Sequence, residues 1–133
     1  MTITEVSKKY DLTPDTLRYY ERIGLIPPVP RGKSGARDYD ETSCQWVELM
    51  KCMRSAGVQI EALIEYAALA QQGERSLEAR RDLLIRQREQ LAARMADMQA
   101  SLDRLDYKIE HYDQLLAGKD RSLRPPVPTA DTP

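Results

Sequence analysis

The chain has 133 residues, 31% charged and only 6% aromatic, with no Phe. So thin an aromatic share argues against one large globular core and suits a helical protein with a long exposed surface. The net charge of −1, one His and 2 Cys leave no overall bias toward polyanions, no Ser/His/Asp or paired-carboxylate machinery that would make an enzyme, and no disulfide scaffold.

In chain order, Thr2 followed by Glu5 is a capping box for a first short helix, with Ile3, Val6 and Tyr10 as its apolar positions. Asp11-Leu12 form a turn. Thr13 caps a second helix with Pro14 at its first position, where the missing N–H costs little. That helix runs to about Arg22 and stops at Gly24. Two short helices joined by a tight turn read as a helix-turn-helix. Pro27, Pro28 and Pro30 then forbid helix, and Gly32 and Gly35 bracket a basic tip, so a small β-hairpin wing with Lys33 and Ser34 at its turn is expected. Asp40 caps a third helix ending near Gly57, and a fourth runs from about Ile60 to Gln72.

Ser76 is expected to cap something longer. Leu77, Leu84, Leu91, Met98, Leu105 and Tyr112 recur every seven residues, and Met95, Leu102, Ile109 and Leu116 fall four places after members of that series. These are d and a positions of a heptad pattern. Arg81 and Arg88 occupy the two earlier a positions, so the seam is apolar mainly in its C-terminal two-thirds. At ~1.5 Å per residue the helix is roughly 60 Å long, and nothing else in the chain is long enough to cover its stripe. A homodimer through residues 77–116 follows. The fold class expected is mainly α: a winged helix-turn-helix domain over 1–73, a coiled-coil dimerisation helix over 76–116 and a Pro-rich disordered tail over 117–133. MTITEVSKKYDL has no apolar signal region and ALIEYAALA is short and broken by Glu65, so a cytoplasmic protein without a membrane span is expected.

Charge is distributed unevenly. Lys8, Lys9, Arg18, Arg22, Arg31, Lys33 and Arg37 stand against Asp11, Asp15 and Glu21 between residues 8 and 37, a local balance of 7 − 3 = +4. That suits phosphates, though a merely solvated face has the same look. Asp15, Arg18, Tyr19 and Arg22 share one face of the second helix, while Leu17 and Tyr20 point inward. Arg can fork onto a guanine edge or a phosphate, and Tyr can donate its hydroxyl to a phosphate. A winged helix that binds only protein is the plainer alternative.

DTLRYYERIGLIPPVPRGKSGARDYD resembles the signature of the MerR family of bacterial transcription regulators, in RYYE, in GLIPP, in the basic tip and in the closing RDY. The resemblance covers roughly residues 1–116. It implies a dimer with antiparallel long helices that binds promoter double-stranded DNA with an overlong spacer and distorts it so that RNA polymerase engages both promoter elements. By position it implies DNA contacts at Arg18, Tyr19, Arg37 and Tyr39, and secondarily at Thr13, Thr16 and Lys33.

The family's metal sensors carry cysteines where this chain reads ERSLEAR and LLAGKDRSL, its iron–sulfur sensors need four clustered cysteines, and its multidrug sensors carry a large extra domain. None matches, so neither metal nor cofactor is expected. His111 lacks a second strong ligand nearby and reads as a surface residue. Gly32-Lys33-Ser34 mimics the end of a phosphate loop, but Pro27 stands where its first Gly belongs. KCMRSAG resembles the branch that answers reactive aldehydes and related electrophiles through one cysteine, which implies Cys52 as the sensing thiol. Lys51 and Arg54 are candidate activators, and Glu48, one turn away, opposes them. Cys52 as a small buried hydrophobe is the alternative. Cys44 reads as packing or surface. A regulator of this fold with a non-covalent effector, and an effector-independent architectural protein, remain open.

Overall fold

The computed structural model describes residues 1–118, so the tail expected over 117–133 lies, from residue 119, outside the described residues. Five α-helices follow in order: α1 Ile3–Tyr10, α2 Pro14–Arg22, α3 Glu41–Ser55, α4 Ile60–Ala70 and α5 Leu77–Gly118. The chain forms two compact units, residues 1–92 and the part from Ala93 onward.

Local chemistry sets the helix starts. Thr2 and Glu5 form the reciprocal capping box of α1. The Thr13 hydroxyl accepts from the Thr16 amide with Pro14 at the first position of α2, and the Asp40 carboxylate accepts from the Ser43 amide at the start of α3. Each cap satisfies a helix N–H that has no partner within the helix. Between α1 and α2 the chain reverses through Asp11 in the left-handed region (φ 53). Gly24 (φ 80) does the same after α2, and the amides of Leu25 and Ile26 both donate back to the Tyr20 carbonyl. That reversal sends Leu25 and Ile26 into the core beside Val6, Leu17, Tyr39, Val47, Met50 and Val58, all fully or nearly buried. A fully buried Leu, Ile or Val contributes about 1.5–3 kcal/mol, so this cluster holds the first unit together.

Two expectations are corrected. The wing contains no β-strand among the described residues; the expected hairpin reduces to one antiparallel bridge, Arg31 to Arg37. Pro27, Pro28 and Pro30 supply no N–H, so a ladder cannot extend. The tip is nonetheless a turn with Lys33 and Ser34 at its centre, closed by Gly35 N–H to Gly32 O at 2.9 Å. Nor does Ser76 cap α5 through its side chain. It ends a 3₁₀ turn, Gly73–Ser76, that runs into the helix. Its hydroxyl lies 2.5 Å from Leu69 O and 2.8 Å from Gly73 O and accepts from Arg80 Nε at 3.0 Å. Ser76 ties the end of α4 to the start of α5 instead of satisfying an α5 amide.

One side chain connects the wing to α2. Glu21 Oε1 accepts from Arg37 Nε at 2.6 Å and Oε2 from the Val29 amide at 2.8 Å. Burial pushes the Glu21 carboxyl up, but the Arg37 and Val29 hydrogen bonds and the charges of Arg37 and Arg31 outweigh it, holding it below its ordinary value. A folded-state value below the unfolded one gives stability that is present above the unfolded value and lost as pH falls through the folded one. Glu21→Gln is therefore expected to cost about 1–3 kcal/mol near neutral pH, since only one amide oxygen can replace two acceptors. In thermal melts at stepped pH, the gap between wild type and Glu21→Gln should close as pH falls below 4.5. A gap that persists unchanged into acid would show that the carboxylate charge does not hold the wing.

Candidate nucleic-acid interface and thiol site

The exposed face of α2 carries the groups expected there. Arg18 Nη1 donates to Asp15 Oδ1 at 2.9 Å, with side-chain exposures of 48% and 95%. An ion pair this open is worth at most about 1 kcal/mol, so a phosphate or guanine edge can displace Asp15 at little cost. Tyr19 is exposed, and the Arg22 guanidinium lies 5.3 Å from its ring centroid, a cation–π geometry that restrains both side chains. At the start of the helix, Thr13 Oγ1 and Thr16 Oγ1 are 2.8 Å apart. Behind this face Leu17 and Tyr20 are buried, so the helix cannot rotate without opening the core.

The wing places its cations unequally. Lys33 is exposed at the tip. Arg31 Nη1 donates to Gly35 O at 3.1 Å, which braces the turn. Arg37 is half-buried through its pair with Glu21, leaving its terminal N–H groups available. Tyr39 differs from expectation: it is 1% exposed, and its buried hydroxyl has no hydrogen-bond partner. Burial pushes this phenol up, so it stays neutral. Tyr39 belongs to the core cluster and presents no surface to a ligand in this conformation. Glu21, absent from the candidate residues, is the site residue that sequence reasoning missed. Its signal was an acidic residue in the last turn of a helix followed by a basic loop.

Cys52 is exposed and Cys44 is buried; both thiols are free. Exposure counts against Cys52 as a filler of hydrophobic space. The two candidate activators are occupied elsewhere. Lys51 Nζ donates to the Tyr10 carbonyl at the C-terminus of α1, where a cation complements unpaired carbonyls. Arg54 Nη1 donates to Val58 O at 2.7 Å, across the joint between α3 and α4. Cys44 packs with its Sγ 3.9 Å from Met1 Sδ. His111 lies on α5 with its ring centroid 6.0 Å from that of Tyr112. Among the described residues no group of three or more His, Cys, Asp or Glu side chains could hold a metal ion, and no helix is long and apolar enough to cross a membrane.

Along α5, Met95, Met98, Leu102, Leu105, Ile109, Tyr112 and Leu116 are between 50% and 71% exposed. These are the heptad residues, and they lie open in the single chain.

Known proteins share this architecture. Residues 1–69 match the family described as MerR HTH family regulatory protein. The HTH-type transcriptional regulator AdhR of Bacillus subtilis (strain 168) is 56% identical over 91 residues, which cover 68% of this chain and 65% of that protein. The crystal structure of a MerR family transcriptional regulator from Listeria monocytogenes superposes with a TM-score of 0.87 at 48% identity, over 92% of each chain. HiNmlR, a MerR family regulator lacking the sensor domain and solved bound to promoter DNA, superposes with a TM-score of 0.77 at 28% identity, over 87% of this chain and 92% of that one. With its helix-turn-helix, its one-bridge wing and its long helix, the chain belongs to the MerR family and is a DNA-binding transcription regulator.

Proposed function

We propose that the protein works in the cytoplasm as a homodimer, joined through residues 77–116, that binds promoter DNA and activates detoxification genes when Cys52 reacts with an aldehyde or related electrophile. The observation that carries the DNA reading is the exposed Arg18–Tyr19–Arg22 face of α2, on a helix whose other face is locked in the core and which Glu21 ties to the basic wing. Arg18 and Tyr19 read the major groove or its phosphates. Thr13 and Thr16, at the N-terminus of the same helix, suit a phosphate, which the helix dipole also favours. Lys33 and Arg37 grip the backbone beside the groove. RNA polymerase is the partner that reads the distorted promoter. The dimer is supported by the open heptad stripe: so large an apolar surface is unfavourable in water and calls for a second copy. The electrophile reading is supported by the exposure of Cys52 and by the resemblance of KCMRSAG. The same exposure makes a non-covalent effector with a purely structural Cys52 the weaker reading.

Three outcomes follow. Lys at both Leu102 and Ile109 buries charge at two a positions and should yield monomers; sedimentation that still finds a stable dimer sinks the coiled coil. On operator duplexes selected from a random library by the wild-type protein, Arg18→Ala should cost about 1–3 kcal/mol of affinity and relax sequence preference, whereas Lys33→Ala should weaken binding evenly on all sequences and reduce the salt slope by about one. Unchanged operator affinity in Arg18→Ala removes α2 as the reader. Cys52→Ser should keep folding, dimerisation and DNA binding but lose induction of a reporter by formaldehyde or methylglyoxal, while Cys44→Ser responds like wild type. Full induction of Cys52→Ser leaves that thiol without a sensing role.

A further inference from the structure

We infer that Glu21 is a positioning residue for DNA binding: it aims the Arg37 guanidinium at a phosphate and fixes the wing to the reading helix, without touching DNA itself. The inference rests on the reading of Arg37 as a phosphate contact.

Glu21 stands in the last turn of α2, the helix that presents Arg18 and Tyr19. Its side chain is 14% exposed and that of Arg37 22%. Both carboxylate oxygens are occupied, and by different parts of the wing. Oε2 takes the amide of Val29, eight residues on, where the wing begins; Oε1 takes Arg37 Nε, sixteen residues on, where it closes. One carboxylate therefore fixes both ends of the wing relative to the helix that reads DNA. The wing's own framework is Gly32 N–H to Ala36 O at 2.8 Å, Asp38 N–H to Pro30 O at 2.7 Å, the tip turn and the Arg31 bond to Gly35 O, and its closing end is also tied to Met1 through Asp38 and Tyr39, but none of these bonds reaches α2.

The chemistry of the guanidinium gives the contact its direction. Arg carries five N–H donors in a rigid plane, and a phosphate takes two of them side by side. With Nε–H bound to Glu21, the plane is set and the terminal N–H groups remain for the phosphate. Lys cannot do both, because its ammonium is a point donor on a flexible stem. Simple electrostatics makes the opposite forecast: a carboxylate beside a phosphate-binding surface repels DNA, and removing it should tighten binding. The two accounts differ in sign.

The test measures affinity of the full-length protein for a random-sequence duplex, because a phosphate contact acts on every sequence. Affinity is followed against salt, with helicity and melting as controls for folding. Arg37→Ala should lose about tenfold, on the scale of one charge-assisted hydrogen bond, and lower the salt slope by about one. Glu21→Asp keeps the charge but is one methylene too short to reach both partners. It should lose roughly fivefold, approaching the loss of that same hydrogen bond, and in the Arg37→Ala background less than about twofold. Glu21→Gln should also weaken binding, although it removes a negative charge. Arg37→Lys, which keeps the charge and does not depend on any Glu21 variant folding, should keep the salt slope but lose several-fold in affinity. Glu21→Asp binding like wild type, an equal Glu21→Asp loss in both backgrounds, tighter binding by Glu21→Gln, or wild-type binding by Arg37→Lys would each overturn the inference. If Arg37→Ala itself binds normally, the assignment of Arg37 as a phosphate contact fails, and the positioning role falls with it.

Discussion

The two oxygens of Glu21 take hydrogen bonds from Val29 and Arg37, and that pair of bonds ties the wing to α2. A wing with three prolines cannot build a sheet ladder, so its internal bonds are too few to fix its attitude. The buried side chains of Leu25, Ile26 and Val29 anchor its base in the core, and the carboxylate sets the angle of what projects beyond. A half-buried ion pair is stabilising only where further hydrogen bonds satisfy its charges. Glu21 meets that condition with the Val29 amide, which is why the pair outweighs the burial that opposes it.

The first unit could stand on its core, but the heptad stripe of α5 cannot serve the single chain. Residues such as Leu102 and Ile109 stay half or more exposed, and isolated helices gain too little from backbone hydrogen bonding to offset such exposure. Arg81 and Arg88 take a positions nearer α4, which confines the apolar seam to the far part of the helix. Leu83, by contrast, is buried in the first unit. The helix thus serves two surfaces in succession, first the core of its own chain and then, in the dimer proposed above, a second copy. Pairing of this kind would also supply two reading helices for two half-sites.

What was legible in the sequence was mostly local. The caps at Thr2, Thr13 and Asp40 depend on residues three places apart, and the structure has all of them. The inward direction of Leu17 and Tyr20 followed from helical period alone. The misreadings involve partners distant in sequence or the direction of a proton. The wing's prolines were recognised as excluding helix, yet the same missing N–H groups also exclude a hairpin ladder. Ser76 looked like a cap because Ser often accepts there, but its hydroxyl meets carbonyls at Leu69 and Gly73. In the sequence Glu21 is legible only as one of three acidic charges, because its partners become neighbours only after the chain turns at Gly24 and again at the wing tip. Tyr39 was assigned by resemblance, which carries a position over but not the burial of its ring. The exposure of Cys52 was available from the pattern: Cys44, Val47 and Met50 make the buried stripe of α3, and Cys52 falls off it.

For the sensing role proposed for Cys52, its place in the fold matters more than its immediate neighbours. Its carbonyl accepts from the Ala56 amide at 3.1 Å, and the next two bonds, Gly57 N–H to Arg54 O and Val58 N–H to Met53 O, each 3.0 Å, close the end of α3. Arg54 adds the side-chain bond to Val58, and Val58 is buried. An adduct on this turn, as the proposed function has it, would act on a joint whose far side is α4. Beyond α4 lies a second tied joint, where Ser76 and Arg80 hold the Leu69 and Gly73 carbonyls. On the near side, Lys51 ties the same α3 turn to the last carbonyl of α1, one tight turn from α2. A close-packed joint answers added bulk by shifting between arrangements rather than by yielding smoothly, at costs of about 1–3 kcal/mol. In the proposed function, an exposed thiol on the last turns of α3, between the Lys51 tie to α1 and the Arg54 tie to Val58, would bias how α2 is held without itself belonging to the DNA surface.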